Sequence, residues 1–277
     1  MKVKIPAGLL LFFLFVLSPL KAQEPGMIEL VETESTLVQL FQRLYDPAYS
    51  SQQDSVNQEI LRLFKYGLEN QYAMDYPWSG LNMIGKLESE DKKLRIFTWN
   101  TENPVNDYQY YGFIQLRDGR KEGVFQLEDR ISANIHNEML KQTVGNWHGK
   151  LYYEILTNSY KKDSYYTLLG LDYNNAYSRV KTIEVLKIER GKPQFATGMF
   201  YDGRKSKDRV VLEYSSQVSI SLRYNELMQK IVFDHLVPFQ SIYYGDFRFY
   251  GPDGSYDAYR FSEGSWSLEE DVDARNY

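Results

Sequence analysis

His136, His148 and His235 are the only imidazoles in the chain, and they are far apart. They never fall into the His-Glu-x-x-His spacing that sets two imidazoles on one helix face around zinc. His136-Asn137-Glu138 has the His-x-Glu order of a zinc deaminase, but cysteines complete that site and the chain has none. No Gly-x-Ser-x-Gly elbow, phosphate-cradling Gly-x4-Gly-Lys-Ser/Thr or Gly-x-Gly-x-x-Gly occurs, which disfavours serine hydrolases of the α/β type and the nucleotide classes. His235, at the end of a strand-like run, is read as a rim residue.

Carboxylates offer more. Asp172-Tyr173-Asn174-Asn175 follows an apolar run with the Asp-x-Asn spacing of an oxygen-rich loop, so Asp172 and Asn174 are the candidate Ca²⁺ ligands, against an Asx-bonded turn. Glu269, Glu270, Asp271 and Asp273 crowd the C-terminal end, as a second cation site or a solvated tail. Two acids facing each other across a cleft at roughly 5 to 9 Å suffice for glycoside hydrolysis and leave no local motif. A hydrolase of envelope polymers is therefore the alternative function.

The aromatic content, 24 Tyr, 15 Phe and 4 Trp, points to a binding surface. Aromatic rings stack on apolar sugar faces, although sheets also favour them for cross-strand packing. The doublets Tyr110-Tyr111, Tyr152-Tyr153, Tyr165-Tyr166 and Tyr243-Tyr244 would send one ring to each face of a strand, exposing half of them wherever a face is uncovered. Trp147, Tyr173 and Tyr243 adjoin turn signals and are the candidate stacking rings; Asn146, Asn174 and Asp246 are the neighbours that would hydrogen-bond a glycan. Trp78, Trp99, Trp147 and Trp266 sit near run ends, where they would line a rim or close a core.

These residues need a scaffold, and its elements are legible. Leu30, Leu37, Phe41 and Leu44, then Val56, Ile60, Leu63, Phe64 and Leu68, recur at helical spacing, with Asp46-Pro47 between and Asp54 or Ser55 as cap of the second helix. From Leu94 onward short runs rich in Tyr, Val, Ile and Phe alternate with turn signals such as Asp118-Gly119, Arg190-Gly191 and Glu263-Gly264. The fold class is α+β, mainly antiparallel β: a helical hairpin, residues 23–92, packed on a β-rich meander, residues 93–277. A sandwich, an open barrel and a small propeller all accommodate that meander. Val218, Ile220, Leu222 and Tyr224 would face inward on a central strand.

Lys2 and Lys4 precede an uncharged apolar run, residues 8–17, and Leu20-Lys21-Ala22 ends in a small residue, so residues 1–22 are read as a signal peptide cleaved near Ala22. The run is too short to span a bilayer. Removing Lys2, Lys4 and Lys21 takes the net charge from −5 to −8. An acidic chain of this kind does not suit nucleic acid, and the densest basic stretch, residues 204–209, is read as a solvated loop. Without cysteine there is no disulfide framework.

Residues 99–115, 149–172 and 210–235, with the tail from Phe249-Tyr250-Gly251-Pro252-Asp253-Gly254-Ser255-Tyr256 to Asp271-Val272-Asp273-Ala274-Arg275-Asn276, resemble a family of uncharacterised exported proteins of the Bacteroidetes. The resemblance implies a Gram-negative envelope location and brings no activity, cofactor or catalytic residue. The expectation is an exported protein, periplasmic or extracellular, that offers an aromatic surface to a glycan or another envelope component.

Overall fold

The computed structural model describes residues 24–102, 108–119, 121–130 and 136–274; the expected signal peptide lies outside them. Helix α1, Pro25–Tyr45, starts with Pro at its first turn, where the missing N–H costs nothing, and buries Leu30, Leu37, Leu40, Phe41 and Leu44 along one stripe. It stops at Asp46, whose extended backbone is what a residue before proline prefers and whose Oδ1 accepts the Ala48 N–H at 2.9 Å. A 3₁₀ turn, Pro47–Gln52, leads into α2, Gln53–Leu68. Neither Asp54 nor Ser55 caps α2. Both lie inside the helix, and the Ser55 hydroxyl donates to the Gln52 carbonyl at its start. Gly67 lets the helices close over Trp78, whose ring a Cβ there would approach to 2.8 Å.

The first sheet is an antiparallel meander of β1 Gly85–Glu88, β2 Leu94–Glu102, β3 Tyr108–Asp118 and β4 Lys121–Glu128. Its first strand thus begins inside the segment expected to be helical. The second sheet holds β5 Leu151–Tyr160, β6 Asp163–Asp172, β7 Ser178–Glu189 and the short β8 Lys192–Phe195. β9 Phe200–Tyr201 and β10 Ser206–Lys207 lead to β11 Val210–Ser215, which returns to pair with β7, while β12 Leu222–Asn225, β13 Lys230–Pro238, β14 Tyr250–Ser262 and β15 Ser265–Glu269 build the third sheet onto β9 and β10. Every strand pairing among the described residues is antiparallel except β15 with β9, and the isolated bridge of Asp129 with Trp147 is parallel too. The sheets do not close into a barrel.

Alternation along the strands assigns each sheet to two cores. Phe97, Trp99 and Phe113 meet the helices, whereas Leu94, Ile96, Ile114 and Leu116 meet Tyr166, Leu168 and Leu186 of the second sheet. Leu169, Ile183 and Val185, on the reverse of the second sheet, pack on Ile231, Phe233, Tyr259 and Trp266 of the third. Polar ties hold the helical end in place: Arg95 donates to the carbonyls of Ala73, Met74 and Tyr76, and Trp99 Nε1 donates to the buried Asn57 Oδ1 at 2.8 Å.

The doublets on strands do split between faces, and most of their rings are covered on both, Tyr153 being the exposed one. Tyr110 points to the second sheet and Tyr111 to the helices, and Tyr152 points to the first sheet while Tyr153 donates its hydroxyl to the Leu222 carbonyl of the third. A bulge between Tyr152 and Glu154 separates the latter pair. Packing therefore accounts for most of these strand rings, Tyr153 remaining 39% exposed, and all four tryptophans are fully buried. Leu222 and Ile220 are buried as their alternation implies, but pairing covers only Leu222–Asn225 and β12 is an edge strand, not a central one.

Candidate functional site

Groups able to meet a ligand gather where the end of α1 passes the β2–β3 end of the first sheet. An open groove of about 520 Å³ lies there, walled by Tyr45, Tyr108 and Tyr173 and edged by Asp46, Gln53, Asn100 and Glu102. Three distant stretches supply it: the last residue of α1 with the 3₁₀ turn, the facing ends of β2 and β3, and the turn after β6. Tyr45 is 40% exposed, its ring stacked beside that of Phe41 at 6.4 Å. Desolvation of its hydroxyl raises its pKa to about 12, against a smaller opposing effect from the Asn100 backbone. The Tyr108 hydroxyl donates to Glu102 Oε1 at 3.0 Å, and burial followed by that carboxylate pushes its pKa up.

Tyr173 is held from three sides. Its ring lies 5.1 Å from that of Tyr108, the Arg179 guanidinium stands 5.5 Å over it, and its backbone N–H donates to the Tyr110 hydroxyl at 2.7 Å. Tyr110 in turn donates to the buried Asp172 Oδ1 at 2.8 Å. The rings are thus fixed before any ligand arrives, which lowers the ordering cost of binding.

A second polar assembly is buried on the second sheet, beside a pocket of about 180 Å³ that Gln142, Glu184 and Arg209 help to line. Glu184 Oε1 receives Lys150 Nζ and Gln142 Nε2, both at 2.6 Å, its Oε2 receives the Tyr152 hydroxyl at 2.6 Å, and Arg209 Nη1 stands 3.7 Å away. Glu184 and Lys150 are 2% and 0% exposed. Burial alone would raise the Glu184 pKa, but Lys150 and Arg209 outweigh it and hold the carboxyl below its usual range. The acid is neutralised and fully bonded, which is the state of a structural ion and not of a catalytic acid awaiting a substrate. Arg209, in the basic stretch expected to be a solvated loop, is almost wholly buried, and Lys207 pairs with Glu138 and Asp202.

The expected site residues do not converge. Trp147 is fully buried, its Nε1 donating to the Tyr152 hydroxyl at 3.0 Å, so it has no open face for stacking, and the bulk of the first two sheets is the reason. Its neighbour Asn146 is exposed in a tight turn with Thr143. Tyr173 lines the groove; Asn174 lies beside it with a positive φ of 52°, its Nδ2 donating to Ser178 Oγ at 2.8 Å. Asp172 Oδ1 accepts the Asn174 N–H at 2.7 Å, which closes the Asx turn weighed against a Ca²⁺ loop. Among the described residues no group of three or more His, Asp or Glu is arranged to hold a metal ion. Tyr243 and Asp246 belong to a separate loop before β14, where a strand was expected and 3₁₀ turns occur. There Tyr243 stacks on Phe249 at 4.2 Å, and Arg248 holds the Asp246 carboxylate by two bonds of 2.8 and 2.7 Å, so that carboxylate is already occupied.

His235 Nδ1 lies 2.7 Å from Asp257 Oδ2, and that hydrogen bond raises the imidazole pKa. In the acidic C-terminal stretch, Glu269 is bound by Lys230 and Arg260. No helix among the described residues is long and apolar enough to cross a membrane. Comparison with known protein families, with curated proteins and with solved structures finds no match.

Proposed function

We propose that this chain is a non-enzymatic carbohydrate-binding protein of the cell envelope, exported by cleavage near Ala22, and that the groove of Tyr45, Tyr108 and Tyr173 is its ligand site. The observation that carries the reading is the groove itself: fixed aromatic walls with carboxylate and amide groups along the edge, the combination that seats a sugar's apolar face and bonds its hydroxyls. Its ionisable edge groups, Asp46 and Glu102, carry negative charge, so a neutral glycan is the favoured ligand.

The test is a screen of neutral polysaccharides by affinity electrophoresis and calorimetry on the purified mature chain. Tyr45→Ala and Tyr173→Ala should each weaken binding at least about tenfold, as truncated aromatic anchors do. Tyr244→Ala, at a ring 86% exposed on the separate loop, should leave binding unchanged. Retained affinity in both groove variants overturns the assignment. Intact mass of protein recovered from the producing cell tests export: a chain beginning at Gln23 supports it, and one retaining Met1 overturns it.

A further inference from the structure

Charged residues make up 25% of the chain, yet residues 173–178, 214–222 and 236–245 contain no Asp, Glu, Lys or Arg. The fold brings these stretches to one end of the second and third sheets, at the β6–β7, β11–β12 and β13–β14 connections. They are joined there. The Ser216 N–H and hydroxyl donate to the carbonyls of Tyr177 and Ala176 at 2.8 and 2.9 Å. Phe239 and Val218 both lie against Gly251, where a Cβ would approach them to 2.5 and 3.5 Å. Charges at the margins are turned to partners within the protein: Arg179 donates to the Tyr173 and Ser178 carbonyls, Lys181 donates to the Ile220 carbonyl at 2.7 Å, and Arg248 holds Asp246.

The last of these connections projects. It runs through two 3₁₀ turns, Ser241–Tyr243 and Phe247–Phe249, and Ile242 and Tyr244 stand 80% and 86% exposed at its tip. Tyr177, Phe239 and Phe249 are exposed at the same end, so five of the fourteen large apolar side chains exposed among the described residues gather here. The tip is braced from within: Tyr243 stacks on Phe249, and the Gly245 N–H, at a φ of 86°, donates to the Tyr250 hydroxyl at 3.0 Å. An isoleucine and a tyrosine held out in water by a braced turn can enter an apolar phase without any loss to the core.

We infer that this end docks on a lipid surface, Ile242 and Tyr244 entering the boundary between headgroups and acyl chains of a zwitterionic bilayer. Tyrosine suits that boundary, because its ring meets the acyl chains while its hydroxyl stays among the headgroups. Behind the tip, Gln240, Ser241, Ser216 and Gln217 offer amides and hydroxyls to phosphate and ester oxygens without fixed charge. Proteins that select anionic lipids add clustered Lys and Arg to the inserted apolar groups. This end has none in its three connections, and a chain of net charge −5 is repelled by an anionic leaflet, so the charge pattern selects neutral headgroups. The arginines that protein interfaces concentrate are here turned inward, Arg179 onto carbonyls and Arg248 onto Asp246, which favours lipid over a protein partner. The inference does not depend on what the tyrosine groove binds.

Cosedimentation of the mature chain, free of the apolar run at residues 8–17, with phosphatidylcholine vesicles tests the inference. The wild type should bind, with an affinity that changes less than about twofold between low and high salt and that falls as phosphatidylglycerol replaces phosphatidylcholine. Ile242→Ser with Tyr244→Ser should weaken binding about tenfold or more, since binding scales with the apolar area inserted. Leu227→Ser with Ile28→Ser removes two exposed apolar side chains elsewhere, on the β12–β13 turn and on α1, and should change binding less than about twofold. Circular dichroism melts confirm that both pairs fold. No binding to phosphatidylcholine vesicles, equal losses in the two pairs, tighter binding to phosphatidylglycerol vesicles, or a dimer in sedimentation velocity that the tip variant dissociates would each overturn the inference. Tyr45→Ala separates this surface from the groove, because it should weaken neutral-glycan binding and leave vesicle binding intact.

Discussion

Replacing Lys150 by Met probes the buried ion cluster directly. The substitution keeps most of the stem, which packs over Gly170, and removes an ammonium that is fully buried and 2.6 Å from Glu184. Removing one member of a buried pair typically costs about 3 to 5 kcal/mol, because the other charge stays desolvated. Here Arg209 at 3.7 Å and the donors Tyr152 and Gln142 still serve Glu184, which places the cost near the lower end, about 3 kcal/mol. For a chain of this size each kcal/mol shifts the midpoint by about 2 to 4 °C, so Lys150→Met should lower Tm by about 6 to 12 °C in calorimetry. The double variant Lys150→Met/Glu184→Gln should be less destabilised than the sum of the singles by about 1 to 3 kcal/mol, the coupling of groups in one network. A Tm drop under about 2 °C, or strict additivity, would show that the ammonium reaches water and is not coupled to Glu184.

Two further outcomes test the same interior. His148 is buried beside Lys150 and Arg209, first burial and then those charges lowering its pKa to about 3, so the unfolded chain takes up a proton near pH 6.5 that the folded chain refuses. Stability should therefore fall with acid across that window by up to about 1.4 kcal/mol per pH unit from this group. His235 has the opposite sign: its pKa is raised, so its contribution is present below about pH 6.5 and disappears as pH rises through the folded value. NMR of the imidazoles should show His235 titrating above a free histidine and His148 silent at mildly acidic pH; the reverse order would refute both placements. Gly170→Ala should cost about 1 to 3 kcal/mol by overpacking, since its Cβ would come within 2.8 Å of Lys150 Cδ and 3.1 Å of Thr182 Oγ1; an unchanged denaturation midpoint would show that the lysine stem moves aside.

Local patterns carried the scaffold because their causes are local. The apolar spacing at Val56, Ile60 and Phe64 reports a burial period within one helix, the run from Leu94 to Trp99 is a strand buried on both faces, and the turn signals at Arg190-Gly191 and Glu263-Gly264 close hairpins, with both residues at positive φ. Non-local placement escaped the sequence. The groove joins Tyr45, Tyr108 and Tyr173 from three stretches, and only Tyr173 carried a signal, its place beside a turn. Trp147 had the same kind of signal and lies in a core, since adjacency to Asn146 says nothing about which sheet folds over it. A clue to the ion cluster was visible: Glu184 stands in the apolar run Ile183-Glu184-Val185-Leu186, where an acid on a sheet face needs a buried partner. The partner itself, Lys150, is more than thirty positions away.

Covering both faces of a sheet also restricts where a ligand can bind. The second sheet spends its alternate rows on two cores, and the first spends one row on the helices and the other on the second sheet. Rings on those rows contribute buried area, of order 25 cal/mol per Å² removed from water, and have no face left to offer. Ligand contacts are thereby pushed to strand ends and turns, where rings such as Tyr45 stay exposed without loss of core. The proposed groove lies at such an end, where β2 and β3 meet the turn after β6. Substitutions along the strand rows should accordingly change stability and leave intrinsic affinity alone, whereas substitutions at the ends should change affinity and leave the melting transition where it was.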